Sequence, residues 1–148
     1  MEHQPNENDT RMKKSCNALC GWILGLAWTV NAVAAPAWEK FNAQLFERAQ
    51  AENKLVLLDL SAEWCVYCKK MDAVTWEDPK VQQVIDEHYL PARIVDEEQP
   101  ELAQRFRQYG RPAIVIFNAQ REEIQSKRGY LKPQWMQWML EAVVQEAR

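Results

Sequence analysis

The chain has 148 residues, 47% hydrophobic and 26% charged, with a formal net charge of -3. That length suits one globular domain with its own core and excludes a large multidomain enzyme. No run of Lys and Arg interleaves with aromatics, so no nucleic-acid partner is expected, and seven tryptophans against four glycines exclude a disordered or linker-rich chain.

Residues 1–34 read as a targeting segment. An acidic decapeptide is followed by Arg11, Lys13 and Lys14, then by an apolar run from Ala18 to Val30, then by Ala32-Val33-Ala34. Basic, apolar and small-x-small regions in that order are the three parts of a secretory signal peptide, with cleavage expected after Ala34 and Met12 a plausible start. The competing reading is an uncleaved anchor, because the run approaches the ~20 residues that span a bilayer. Asn31 and Pro36 favour cleavage. Cys16 and Cys20 leave with the signal, so the exported domain, residues 35–148, keeps Cys65 and Cys68 alone.

In the exported part, Trp38, Phe41, Leu45, Phe46 and Ala49 recur three and four apart and predict an amphipathic helix over residues 38–53. Leu55 to Leu60 has neither helical period nor polar alternation and predicts a strand buried on both faces. A helix is expected from Cys65 through Met71, and another from Pro79 through Ile85. A short strand follows at Ala92–Val95, then a helix over 100–109 ended by Gly110. Ala113–Phe117 is a second strongly apolar strand, with residues 121–127 folding back on it as a hairpin. Gly129 releases the chain into a last helix from Pro133, on which Trp135, Trp138, Met139, Ala142 and Val143 share a face expected to pack on the sheet. The order α-β-α-α-β-α-β-β-α predicts an α/β fold, a central mixed sheet with helices on both faces.

The chemistry is concentrated in Trp64-Cys65-Val66-Tyr67-Cys68, between the buried strand and a helix. Unpaired N–H groups and the helix dipole at that point favour a negative sulfur. Cys65 is expected to be the exposed nucleophile. Cys68, one turn on and more buried, would resolve a mixed disulfide by attacking the Cys65 sulfur. A purely structural disulfide is a weak alternative, because closing so short a loop removes little chain entropy. Half a structural zinc site is another, but the exported chain offers no second cysteine pair and only His88.

The segment LVLLDLSAEWCVYCKKM, Leu55 to Met71, resembles the active-site segment of the thioredoxin superfamily. Within it the chain is most similar to the C-terminal thioredoxin domain of the bacterial interchange protein DsbD and to small periplasmic thioredoxin-like proteins. The likeness runs on through Trp76-Glu77-Asp78-Pro79-Lys80-Val81 and covers about Phe41 to Arg148. It implies a thioredoxin-like fold and a role for four further positions. Asp59, six residues before Cys65, matches the buried acid that exchanges a proton with the resolving cysteine, and burial would bring its pKa toward the thiol range. Pro112 matches the family's cis-proline. Arg111 before it takes the specificity position and, with Trp64, is expected to meet substrate. Asp72, one helical turn after Cys68, matches an acid that modulates the site; a solvated helix acid is the alternative.

Val66-Tyr67 between the cysteines holds no cation-capable residue of the kind found in strongly oxidising members, which favours a protein-disulfide reductase over an oxidase. The chain carries no flavin or nicotinamide fingerprint, so no cofactor is expected and a membrane-embedded electron donor of the interchange type must recharge it. The expected protein is a periplasmic, monomeric thiol-disulfide oxidoreductase acting on protein disulfides, without a metal. The rival is a non-catalytic module that holds a soft metal such as Cu(I) on Cys65 and Cys68, with Met71 as the nearby ligand, or that serves as an interaction scaffold.

Overall fold

A computed structural model describes residues 35–147; the expected signal segment and its cleavage site after Ala34 lie outside the described residues. The elements, in order, are β1 (Glu39–Lys40), α1 (Ala43–Glu52), β2 (Leu55–Ser61), α2 (Val66–Lys70), α3 (Pro79–His88), β3 (Tyr89–Val95), α4 (Pro100–Arg105), β4 (Ala113–Phe117), β5 (Glu123–Arg128) and α5 (Pro133–Glu146). The strands form one sheet in the order β1-β3-β2-β4-β5. β1, β3 and β2 run parallel, while β4 and β5 are antiparallel to their neighbours, so the sheet is mixed as expected.

β2 is central and apolar on both faces because helices cover both. Side chains alternate across a strand. Val56, Leu58 and Leu60 therefore enter a core with Leu45, Phe46 and Ala49 of α1 and Ala103 of α4. Leu57 enters the opposite core with Met71, Trp76, Val81 and Ile85, and with Met136, Leu140 and Val143 of α5. Each such large aliphatic side chain removed from water contributes about 1.5–3 kcal/mol. Asp59 shares the Leu57 face, the one that packs on Met71 and Trp76, and is the single acid on the strand.

The helix starts follow local chemistry. Asn42 caps α1 by accepting the Leu45 N–H, and Asp78 caps α3 by accepting those of Lys80 and Val81 ahead of Pro79. Gly110 and Gly129, both with positive φ, end the α4 region and β5 where a side chain would be strained.

Five expectations need correction. Trp38 is not in a helix: Glu39–Lys40 form a strand beside Ala92 and Arg93, and α1 begins only after its Asn42 cap. Trp38 and Phe41 consequently join opposite cores, which a shared helix face would not allow. β3 begins at Tyr89 and passes through Pro91, tolerated because β1 pairs only with Ala92 and Arg93 and leaves Pro91 at an open edge. α2 does not end at Met71 but passes into a π-helical turn, Met71–Thr75, and the helix expected over 100–109 breaks into α4 and a 3₁₀ turn at Arg107–Tyr109. Finally, α5 buries Met136, Leu140 and Val143, whereas Trp135 and Trp138 are 57% and 48% exposed and stack edge to face on the outer side.

Candidate functional site

β2 delivers the chain to the C-terminal edge of the sheet, where a turn closed by the Cys65 N–H on the Ala62 carbonyl (3.1 Å) leads into α2. Cys65 is the N-cap of that helix, with φ -83° and ψ 102°. Its Sγ accepts the backbone N–H of Cys68 at 3.1 Å. A hydrogen bond to the sulfur favours the thiolate whenever the pair is reduced. Cys65 and Cys68 are joined as a disulfide, their Cα atoms 5.2 Å apart. The two residues are equally buried, each 3% exposed, which corrects the expectation of an exposed Cys65 above a shielded Cys68. What the site presents to solvent is the apolar set Trp64, Val66 and Tyr67. The bonded sulfurs pack with Ala62 in a small buried cluster of their own.

Two further loops meet this edge. The Arg111–Pro112 peptide is cis. The Pro112 carbonyl accepts the Gly129 N–H at 2.8 Å, and Tyr130, the next residue, packs on Tyr67 with ring centroids 6.3 Å apart. Lys70 Nζ lies 4.9 Å from the Tyr130 ring, a cation–π contact that extends the surface. Trp64 and Arg111 line one shallow depression with Asp96, Arg107 and Gly110. The Arg111 guanidinium, however, is turned inward. Its side chain is 4% exposed and paired with Asp96, Nε to Oδ1 at 2.7 Å, and it also donates to the Gly110 carbonyl. Arg111 as a whole is only half-buried, so its open part is backbone.

On the Leu57 face of β2, Asp59 is buried and lies opposite Arg93 in the β2–β3 register. Arg93 Nε donates to Asp59 Oδ2 and a terminal nitrogen of the same guanidinium donates to Asp72 Oδ1, both at 2.6 Å. Burial lifts the Asp59 carboxyl to about 6; Arg93 opposes the rise and the Asp72 carboxylate adds to it. Asp72 sits in the π-helical turn, tied to Arg93 and not merely solvated.

Residues 37–119 match the thioredoxin-like family profile. The chain belongs to the thioredoxin-like family. Among curated proteins, the thiol:disulfide interchange protein DsbD of Haemophilus influenzae (strain 86-028NP) is 38% identical over 92 residues, 59% of this chain and 16% of that protein. DsbD of Salmonella typhi is 36% identical over 97 residues, 64% of this chain and 17% of that protein. The chain thus spans less than a fifth of the length of these curated relatives. Among solved structures, a thioredoxin from Thermus thermophilus superposes with a TM-score of 0.61 at 24% identity, covering 77% of this chain and 88% of that one. The oxidised C-terminal domain of Neisseria meningitidis DsbD gives 0.53 at 22% identity, covering 67% and 90%. These two likenesses bear on the fold, which is thioredoxin-like.

The thioredoxin-like domain therefore carries a disulfide centre of the Cys-x-x-Cys type, related in sequence to DsbD. Its structure brings Trp64, Cys65, Cys68, Arg111 and Pro112 to one edge of the sheet and links Asp59 to Asp72 through a third side chain. Sequence reasoning missed that side chain, Arg93, and also Asp96 and Tyr130. The one available signal was Arg93 itself, a charge inside the apolar run Ala92–Val95.

Proposed function

We propose that this chain is an exported thiol-disulfide oxidoreductase that reduces protein disulfides in the periplasm as a monomer, after cleavage following Ala34. The observation that carries the reading is the Cys65–Cys68 pair at a helix start, with Cys65 Sγ accepting the Cys68 N–H beside the Arg111–Pro112 loop. In the reduced protein, the Cys65 thiolate attacks one sulfur of a substrate disulfide; the substrate S–S bond breaks, and its second sulfur leaves as a thiolate. Cys68 then gives its proton to the Asp59 carboxylate and attacks Cys65, forming the Cys65–Cys68 bond and expelling the remaining substrate sulfur. Two electrons pass to the substrate. A dithiol on a membrane-embedded donor of the interchange type returns them. The exposed Trp64, Val66 and Tyr67 with Tyr130 suit an apolar protein partner, and the outward backbone of Arg111 suits an extended substrate segment.

The identity to DsbD supports this over the soft-metal reading, as does the burial of Met71, the expected thioether ligand, which is locked in the core with Leu57 and Trp76. Among the described residues no helix is long and apolar enough to cross a membrane. The test is expression of Cys68→Ala in cells. Mixed disulfides should accumulate on Cys65 with exported proteins, and purified wild type should accelerate insulin reduction by dithiothreitol. Neither effect would leave the metal or scaffold reading in its place. Intact mass of the exported protein should give an N-terminus at Ala35; retention of residues 1–34 in membranes would favour the anchor.

A further inference from the structure

The outer side of α5 carries two tryptophans that the redox chemistry does not use. Trp135 and Trp138 stand in solvent with ring centroids 5.2 Å apart, while Met136 and Leu140 fill the core beneath. A groove lined by Gln137, Glu141 and Val144 marks the side of α5 that faces α3. Successive residues turn about 100° around a helix, so Trp135, two positions from Gln137, lies on the side turned away from α3. The first acid on that side, Glu146, is about three turns further on. Cations surround the pair instead. Lys132, the N-cap of α5, precedes Trp135 by one turn, and Lys70 lies over the Tyr130 ring. Exposed Lys127 of β5 is opposite Ile114, which enters the core under α5, so Lys127 rises on the α5 side of the sheet. Neither Lys127 nor Lys132 has an ion-pair partner among the described residues. From Lys127 to Leu140 the chain has three cations and no acid, against a net charge of -3 overall. Arg128, the third cation, is opposite Ala113 and belongs to the α1 side.

We infer that this face is a membrane-docking surface whose occupant is a bilayer containing anionic lipid. Tryptophan suits the headgroup region, because its ring is apolar and its indole N–H still finds a partner there. Lysines beside the rings suit lipid phosphates, and an acid at the same place would oppose them. A second copy of the chain is a poorer occupant: a two-fold contact through this face would set Lys127 and Lys132 against their own copies. With two rings and no continuous apolar helix, the domain rests on the surface and does not span it. Docking also orients the molecule. Tyr130 lies between the two lysines in sequence and packs on Tyr67 of the redox edge, so a bilayer at Lys132 and Trp135 keeps that edge beside it. The benefit to the reaction rests on the membrane-embedded donor proposed above, whose dithiol would then be met by search over a surface and not through a volume. The binding itself does not depend on that donor.

The experiment adds vesicles to the protein recovered from the exported fraction and reads two quantities: sedimentation with the vesicles, and acetylation of each lysine by peptide mass spectrometry. Wild type should sediment with vesicles of equal parts phosphatidylglycerol and phosphatidylcholine, and stay in solution with phosphatidylcholine alone. The anionic vesicles should slow acetylation of Lys127 and Lys132 and leave Lys40 and Lys80, on other sides of the domain, unchanged. Lys127→Gln with Lys132→Gln should weaken binding about 25-fold, about fivefold for each charge removed from an anionic surface. Trp135→Gln with Trp138→Gln should lose at least as much, because both rings leave the interface. All variants change exposed side chains and should keep wild-type insulin reduction, which shows them folded. Equal binding to both kinds of vesicle, unslowed acetylation of Lys127 and Lys132, or a tryptophan variant that binds like wild type would overturn the inference. So would a wild-type dimer on size exclusion that the tryptophan variant turns into a monomer, since the face would then belong to a second copy. Vesicle binding as stated by a protein that does not reduce insulin would uphold the docking surface and refute instead the oxidoreductase reading.

Discussion

Asp59→Asn should stabilise the oxidised protein at neutral pH and leave it unchanged in acid. In the unfolded chain the Asp59 carboxyl ionises near 3.9. In the folded protein burial delays that to about 6. Between those two values the native state holds a proton that the unfolded chain has released, so stability falls as pH rises through the interval and stays lowered above it. About two pH units at 1.36 kcal/mol each is a penalty of about 3 kcal/mol at pH 7. Asparagine has the shape of the neutral acid, its amide oxygen can still accept from Arg93, and it carries no such penalty. The variant should therefore be about 3 kcal/mol more stable at pH 7, with Tm higher by on the order of 10 °C. The gap should narrow on acidification and close below about pH 4. Equilibrium urea unfolding of both disulfide-bonded proteins from about pH 3.5 to 7.5 measures it. A difference that does not vary with pH, or a wild type more stable than the variant at pH 7, would refute the reasoning. In the same variant, release of reduced substrate should slow by roughly 10²-fold near and below neutral pH, recovering at higher pH as Cys68 ionises unaided. Wild-type rates at every pH would reduce Asp59 to a structural residue.

In the reduced protein, Cys65 should alkylate faster than Cys68 near neutral pH, because its sulfur receives the Cys68 N–H; equal rates by mass spectrometry would count against the assignment of nucleophile. Met136→Ala should cost about 2–5 kcal/mol, while Trp138→Gln stays within about 0.5 kcal/mol, since only the first residue is in the core; comparable losses in denaturant titrations would mean that the α5 face has been misassigned. Arg111→Met should cost about 3 kcal/mol, the low end for breaking a buried pair because Asp96 keeps partial access to water. Unaltered stability would show that the Arg111–Asp96 pair contributes nothing net, leaving the guanidinium free for substrate.

Local patterns carried much of this protein in plain view. Leu55–Leu60 and Ala113–Phe117 are legible as central strands because only a strand covered on both faces needs apolar residues at successive positions. One acid inside the first run, Asp59, stands out for the same reason, and Cys-x-x-Cys between strand and helix is a spacing with few chemical uses. Pro79, Pro133, Gly110 and Gly129 mark boundaries through their own backbone chemistry, which needs no neighbour distant in sequence.

Tertiary structure decided what depends on pairing across the fold. Arg93 meets Asp59 only because β2 and β3 lie side by side in one register, a relation that neither segment encodes alone. The two-residue β1 is too short to have a period, and it exists because Ala92 and Arg93 offer it an edge. α5 carries apolar residues on two faces, Met136-Leu140-Val143 and Trp135-Trp138, so its hydrophobic pattern did not specify which face the sheet would take. The burial of Cys65 is likewise a property of the assembled edge: its neighbours Trp64 and Val66 stand in solvent while its own sulfur, bonded to Cys68, does not.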